Sequence, residues 1–308
     1  MNGHVWDAVI IGGGPAGLSS ALLLGRCLRR VLVCDAGSPR NAASRAMHGF
    51  IGHDGIDPAE FLRKARRELE RYQTVKRWMA TVKEVRREDS LFVITLEDQR
   101  TVVSHAVLLA TGARDRLPAL EGAERFYGRS LHHCPYCDAF EHRGRFLGVL
   151  GNDQAAADLA VELRLWSRKV VLFTNAVPPV EKAVAECMGR SGVRIVEGDV
   201  TRLEGCGDSL ERLCVGGDSW HVCEALFFSP RQMHQSGLAA GLGCPVSPED
   251  GAVSCSANGT TEIEGLFVAG NLSNGVQMAV VAAAEGVKAG AALNDWLLAR
   301  QCELSTVG

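Results

Sequence analysis

The stretch that decides the fold is Val5-Trp-Asp-Ala-Val-Ile-Ile11, continued by Gly12-Gly-Gly-Pro-Ala-Gly17 and Leu18-Ser-Ser-Ala-Leu-Leu-Leu24. A β-branched apolar run reads as a buried strand, the glycines as a tight turn and the leucine-rich segment as a helix. In that setting G-x-G-x-x-G carries meaning. Gly12 permits the turn, Gly14 lets backbone approach a pyrophosphate, and Gly17 lets helix and strand pack closely. The next predicted strand, Arg30-Val-Leu-Val-Cys-Asp35, ends in an acid 18 positions after Gly17 (35 − 17). That offset suits a carboxylate holding a ribose hydroxyl. A glycine turn alone could serve packing only; strand, helix and acid in register point to a dinucleotide.

A second β-α-β unit follows later in the chain. Arg145–Leu150 reads as a strand, Gly151-Asn-Asp-Gln-Ala-Ala156 as a turn, Ala157–Leu165 as a helix and Lys169–Thr174 as the next strand. Asp153 stands where the second fingerprint glycine belongs, bringing negative charge toward the place of a pyrophosphate. The strand ends Phe173-Thr174-Asn175-Ala176, without an acid for a ribose or an arginine for a 2′-phosphate. The shape of a dinucleotide site survives here while its chemistry is eroded. The fold class expected is therefore α/β, with two doubly wound Rossmann-like units.

Between the two lies Leu131-His-His-Cys-Pro-Tyr-Cys-Asp138. Cys134 and Cys137, separated by two residues, can close a disulfide and reopen it if one thiol is held as a thiolate. Asp138 offers a carboxylate beside the second thiol, and His132 and His133 are either bases or structural histidines. The rival is half of a zinc site completed by the histidines. The other nine cysteines form no second C-x-x-C, and the motif's place between two nucleotide-binding patterns favours electron flow, so no metal is expected.

The remaining segments fill in the plan. Ser38–Asp57 is a polar loop with Arg40, Asn41 and His48 as candidates for a cofactor ring or phosphate, or simply a surface loop. A helix is expected over 58–73, and strands over Thr81–Arg86 and Leu91–Leu96 as a small hairpin layer. Ala106–Ala110 reads as a buried strand closed by Thr111-Gly112-Ala113. Further strands are expected at Val193–Val196, around Arg212–Val215 and Ser219–Val222, and at Ala225–Ser229, with Pro230 and Gly237 opening a return crossing. Gly265-Leu-Phe-Val-Ala-Gly270-Asn271 reads as strand then turn, followed by a small-residue helix from Gln277 onward, whose N-terminus could stabilise an electron-rich ring.

At 308 residues, 46% apolar and 22% charged, the chain has length for about two globular domains. A formal net charge of −3 leaves no basic surplus for nucleic acid. The basic run Glu60–Arg71 has its apolar residues at helical spacing and reads as a solvated helix face. No run approaches the roughly 20 apolar residues that span a bilayer. Asp7 interrupts the first apolar run, which leads straight into a glycine turn, so no signal peptide is expected. Eleven cysteines without an extracellular framework fit a reducing cytoplasm.

In chain order these motifs resemble the low-molecular-weight thioredoxin reductases and their relatives: G-G-G-P-A-G at 12–17, A-T-G at 110–112, C-P-Y-C-D at 134–138, a second β-α-β at 146–174, and G-L-F-V-A-G-N at 265–271 with Gln277-Met-Ala279. The likeness covers nearly the whole chain. It implies an FAD domain built from 1–113 and 244–308, an inserted pyridine-nucleotide-type domain over 114–243 carrying the C-x-x-C, and a homodimer. It further implies that Gly12, Gly14, Pro15, Ala16, Gly17, Asp35, Ala36, Arg40, Asn41, His48, Val82, Ala110, Thr111, Gly112, Gly270, Asn271, Gln277, Met278 and Ala279 surround FAD. Cys137 would exchange electrons with the flavin, Cys134 would meet the substrate, and Asp138 would be the acid–base group. Three positions depart from the family pattern: Asp153 with the bare strand end, Asn271 in place of an acid, and Ala139 in place of glycine. Ser38-Pro-Arg-Asn41 and Val276–Gly286 are closer to the thioredoxin reductase-like group, which includes oxidases of small dithiols and enzymes served by ferredoxin or a second flavin. The expected activity is FAD-dependent dithiol/disulfide exchange without efficient NADPH use, on a small dithiol or a thioredoxin-like protein, with oxygen among the possible acceptors. The alternatives are an NADPH-dependent thioredoxin reductase and a flavin-binding redox sensor; a second flavin in the degenerate cleft is a further option.

Overall fold

The computed structural model describes residues 5–175, 182–229, 232–235 and 237–306; Ala176 and Pro230 lie outside the described residues. In chain order, β1 (Val5–Ile11), α1 (Pro15–Arg26) and β2 (Val31–Asp35) form the first unit of strand, turn and helix. There follow α2 (Pro58–Leu69), β3 (Val75–Met79), β4 (Val82–Glu88), β5 (Leu91–Leu96), β6 (Thr101–Leu109) and β7 (Ala113–Asp115). Next come α3 (Ala123–Phe126), β8 (Leu131–His132), α4 (Pro135–Asp138), β9 (Leu147–Leu150), α5 (Gln154–Leu163), β10 (Val170–Phe173), α6 (Lys182–Ser191) and β11 (Arg194–Val196). The chain continues with β12 (Val200–Cys206), β13 (Ser209–Val215), β14 (Ser219–Val222), β15 (Ala225–Phe228), β16 (Gln232–His234), α7 (Gly237–Gly241), β17 (Leu266–Val268) and α8 (Ala279–Thr306).

Two compact units result. The first comprises Met1–Ala42, Pro58–Asp115 and Gln232–Gly308; the second comprises Ala43–Asp57 and Arg116–Arg231. These limits differ from the sequence divisions in three places, the shortest being Arg114 and Asp115 of β7, which go with the first unit. Residues 43–57 go with the second unit, where Arg45 pairs with Asp208 and Ala43 packs against Gly128. Residues 232–243 go with the first, because β16 pairs antiparallel with β7.

In the first unit the sheet runs β3-β2-β1-β6-β5-β4, with β17 also paired to β6. β1 has parallel neighbours on both sides, which is why Ala8, Val9 and Ile10 are fully buried and the strand reads as one apolar run. The β4–β5 hairpin is not a separate layer. β6 starts at Thr101, five residues before the expected Ala106, and that extra length pairs antiparallel with β5. β3 was missing from the sequence pattern because Lys76 and Arg77 interrupt its apolar character at a sheet edge.

The second unit holds an all-parallel sheet of order β11-β10-β9-β15-β8 and an antiparallel sheet β12-β13-β14. β8 leads directly into the cysteine loop, and the β9–α5–β10 crossover is the second β-α-β unit.

The long helix α8 closes the first unit against α1. Ala289 and Leu293 are fully buried, and Leu297 is 4% exposed. Burying one such leucine contributes about 1.5–3 kcal/mol. The helices meet closely at Ala16: a Cβ on Gly286 would collide with the Ala16 backbone, and one on Gly270 would press on the Ala16 methyl. We therefore predict that Gly286→Ala costs about 1–3 kcal/mol through overpacking. Thermal unfolding of the variant should show a lowered Tm; an unchanged Tm would mean the helices are not in this contact.

Candidate active site

The first glycine turn has the geometry of an anion cradle. Gly14 is the N-cap of α1 and supplies no side-chain cap, and a Cβ built on it would meet nothing within 4 Å. The first-turn N–H groups of a 12-residue helix thus lack a capping side chain, and the helix dipole favours a negative group there. Gly12 and Gly17 do what their positions predict: a side chain on Gly12 would strike the Ala110 carbonyl, and one on Gly17 the Gly12 carbonyl.

Asp35 closes the end of β2 and is 5% exposed. Its Oδ1 accepts from the Gly37 N–H at 2.9 Å and its Oδ2 from Arg66 Nη2 at 2.9 Å. A carboxylate has about four lone-pair sites, so capacity remains for a ribose hydroxyl. Two residues that the sequence did not single out support it. Gly13 lacks the Cβ that would otherwise occupy the carboxylate's position. Arg66, from a helix face read as solvated, reaches back to neutralise it.

A polar cluster gathers other candidates in the same unit. Arg40 Nε donates to Asp115 Oδ2 at 2.7 Å, and its Nη1 donates to Gln277. Asn271 Nδ2 lies 3.5 Å from the Gln277 side-chain oxygen, and the Asn271 carbonyl faces His234 Nδ1 at 2.7 Å. Asp115, whose side chain is 2% exposed, went unnoticed in the sequence because a lone acid after A-T-G-A-R carries no pattern. Gly270 donates its N–H to Glu285 at 2.9 Å, and burial pushes the Glu285 pKa up. Thr111 Oγ1 donates to the Gln235 carbonyl at 2.7 Å, and Val82 opens β4. Met278 precedes α8, and Ala279 is its first residue. Ala36 is exposed after β2, and Asn41 lies in a 3-10 turn. His48 is in the second unit, its ring 3.4 Å from Asp54 and 3.6 Å from Glu141.

The cysteine loop starts at the end of β8. Cys134 caps α4 and is disulfide-bonded to Cys137. Both are half-buried, whereas Cys34 and Cys223 are buried and their thiols are pushed up to about 12 by burial. Thiols so placed are poor nucleophiles. Asp138, 22% exposed at its side chain, lies 3.3 Å from His132 Nδ1. His132 is buried, and His133 stacks on Tyr127 with ring centroids 6.2 Å apart. Tyr136 is 67% exposed beside the disulfide, and its pKa is raised by its hydrogen bond to Glu162. Among the described residues no group of three His, Cys, Asp or Glu side chains is arranged to hold a metal ion.

The second glycine turn is capped from within. Asp153 is the N-cap of α5, and its Oδ1 accepts from the Ala156 N–H at 2.9 Å. At the strand end Thr174 Oγ1 accepts from the Gly198 N–H at 3.3 Å, and Asn175 Oδ1 from the Val200 N–H at 2.9 Å. Asn175 sits in the left-handed region (φ 49°), where asparagine is tolerated. Asp153, Thr174 and Asn175 thus all hold the protein's own backbone.

Sequence and structure comparisons agree with this architecture. The pyridine nucleotide-disulphide oxidoreductase family matches residues 6–286, and the chain belongs to that family. It is a thioredoxin reductase-like, flavin-dependent disulfide oxidoreductase. It is 30% identical over 281 residues to the thioredoxin reductase tcpT of Claviceps purpurea, covering 87% of each chain. It is 34% identical over 178 residues to a probable thioredoxin reductase of Arthroderma benhamiae, a match spanning 56% of this chain and 44% of that protein. The crystal structure of HlmI superposes with a TM-score of 0.92, at 33% identity and complete coverage of both chains. Family membership implies flavin, and the cradle at Gly14 with Asp35 fits FAD. No helix among the described residues is long and apolar enough to cross a membrane.

If Asp153 acts as the cap of α5, Asp153→Ala should cost about 1 kcal/mol and Asp153→Gly only a few tenths. Chemical denaturation of the two variants checks this; equal stabilities would remove the capping role.

Proposed function

We propose that this chain is an FAD-dependent dithiol–disulfide oxidoreductase that makes no efficient use of NADPH, with Cys134 and Cys137 as its redox pair. The observation that carries this reading is the Asp153 carboxylate accepting from the Ala156 N–H at the second turn. A nucleotide pyrophosphate there would have to displace that bond and sit beside a like charge, an electrostatic cost that grows in a low-dielectric cleft. At Gly14 there is no capping side chain to displace.

FAD, when bound, accepts or returns the electron pair of the dithiol/disulfide couple. The residues we assign to holding it are the Gly12–Gly17 turn and Asp35, then Ala36, Arg40, Asn41, Val82, Ala110, Thr111 and Gly112. From the later segment we add Gly270, Asn271, Gln277, Met278 and Ala279. The FAD domain would be the first unit, and the second would be the eroded pyridine-nucleotide-type domain. In the oxidative direction a substrate thiolate attacks Cys134 Sγ and the Cys134–Cys137 bond breaks. The second substrate thiol then closes the substrate disulfide and frees Cys134. The substrate is oxidised by two electrons, the cysteine pair is reduced, and the two thiol hydrogens end on the pair, with Asp138 holding one in transit. The reverse sequence reduces a disulfide in a small molecule or in a thioredoxin-like protein, the substrate that the names of the relatives suggest. We place the enzyme as a homodimer in a reducing cytoplasm, with oxygen, ferredoxin or a second flavin as its electron partner.

Anaerobic titration of the flavin colour tests this. Dithiothreitol should bleach it, whereas NADPH should act far more slowly. Rapid bleaching by NADPH would favour the NADPH-dependent thioredoxin reductase, and in that case Asp153→Gly would change little. Cys134→Ser should lower dithiol-linked turnover by orders of magnitude; unchanged turnover would leave a flavin-bearing redox sensor.

A further inference from the structure

His142 has no role in the chemistry above, yet it is buried and committed to the cysteine loop. The residue is 8% exposed, and its Nε2 lies 3.0 Å from Nε2 of His132. His132 ends β8, pairs in register with Phe227 and packs on that ring. Its other nitrogen, Nδ1, faces Asp138 Oδ1 at 3.3 Å. The line runs carboxylate, imidazole, imidazole. It ends at His142 Nδ1, a buried atom with no hydrogen-bond partner among the described residues.

Two arguments place the hydrogens. A lone pair of His132 Nδ1 turned toward a carboxylate would be repelled, so a hydrogen belongs there. Buried N–H groups almost always find acceptors, so His142 keeps its hydrogen on Nε2, the nitrogen with a partner. The arguments agree, because His142 Nε2–H then donates to a bare His132 Nε2. Burial, with His132 and Arg145, lowers the His142 pKa to about 4 against the opposing pull of Asp138, so its ring carries one hydrogen at neutral pH. The other charged groups nearby are engaged elsewhere: Glu141 faces His48, and Glu162 is bonded by Tyr136.

We propose that His132 and His142 are positioning residues for the acid–base step: His142 Nε2–H holds His132 in the tautomer that presents Nδ1–H to Asp138, and this line governs how readily Asp138 takes up a proton. This rests on Asp138 being the acid–base group of the proposed function. Protonating Asp138 reverses the line. Its O–H then donates to His132 Nδ1, the His132 hydrogen moves to Nε2, and His142 carries its hydrogen on Nδ1, where nothing receives it. No electrons move in this reversal; one proton is taken from the substrate thiol and later passed to the reduced cysteine pair. The line therefore favours the carboxylate, the form able to accept that proton.

The test is anaerobic flavin bleaching of the holoenzyme by dithiothreitol from about pH 5 to 9, read as the variant-to-wild-type ratio so that ionisation of the probe cancels. His142→Phe should leave the ratio near one on the alkaline side and lower it about tenfold on the acid side, as a carboxylate deprived of its donor is protonated more readily. His142→Gln, whose amide nitrogen can stand where Nε2 stood, should keep the ratio flat. A flat ratio for His142→Phe, or equal falls for both variants, overturns the proposal, while impairment of Asp138→Asn would still leave the proposed function standing. If Asp138→Asn is unimpaired, the assignment of Asp138 itself is overturned. Should His142→Phe not fold, ¹⁵N-histidine NMR of the wild-type holoenzyme decides. His132 protonated at Nδ1 and bare at Nε2 supports the line, and the reverse tautomer overturns it.

Discussion

The close approach of α8 to α1 at Ala16 is the contact on which the first unit depends. It exists because Gly286 and Gly270 carry no side chain where Ala16 comes nearest. Through it a segment more than 250 residues downstream is brought to the first glycine turn, and Gln277 and Asn271 join Arg40 and Asp115 in one polar cluster. β17 locks the same segment into the sheet by pairing with β6. A side chain at 286 would act on the cluster as well as on stability, because the two helices could no longer meet at that distance.

The two βα turns share a backbone plan and differ in what their helix N-termini are offered. A helix start has several N–H groups without intrahelical partners and a partial positive charge. At α1 the N-cap is Gly14, which has no capping side chain, and this leaves a place for an external anion. At α5 the chain supplies its own anion, the Asp153 carboxylate. The neighbouring strand end is closed in the same manner, by Thr174 and Asn175 accepting from the 198–200 loop. The aspartate at 153 thus brings a negative charge to this turn and also engages a hydrogen-bond donor.

The cysteine loop illustrates how burial sorts chemically identical side chains. Cys34 and Cys223 are desolvated and held as thiols, while Cys134 and Cys137 sit half-buried at the mouth of a short helix with a carboxylate and a histidine beside them. Such placement separates them chemically, since only an accessible thiolate attacks a disulfide. The histidine pair behind the carboxylate lies deeper, where water does not compete for its hydrogen bonds.

Local pattern alone determined the α/β class, the first glycine turn with its acid, the cysteine pair and the place of Asp153 in the second turn, because each rests on residues adjacent in sequence or at a short fixed spacing. The sequence could not reveal Asp115 and Arg66 as partners of Arg40 and Asp35, since those pairs are 75 and 31 residues apart and no local periodicity encodes them. Nor could it assign β3, whose charged residues are tolerated at a sheet edge, or separate His132, the last residue of β8, from His133 just beyond the strand. His132 meets Asp138 and His142, whereas His133 stacks on Tyr127. Backbone direction and burial decided these contacts, and both are properties of the folded chain.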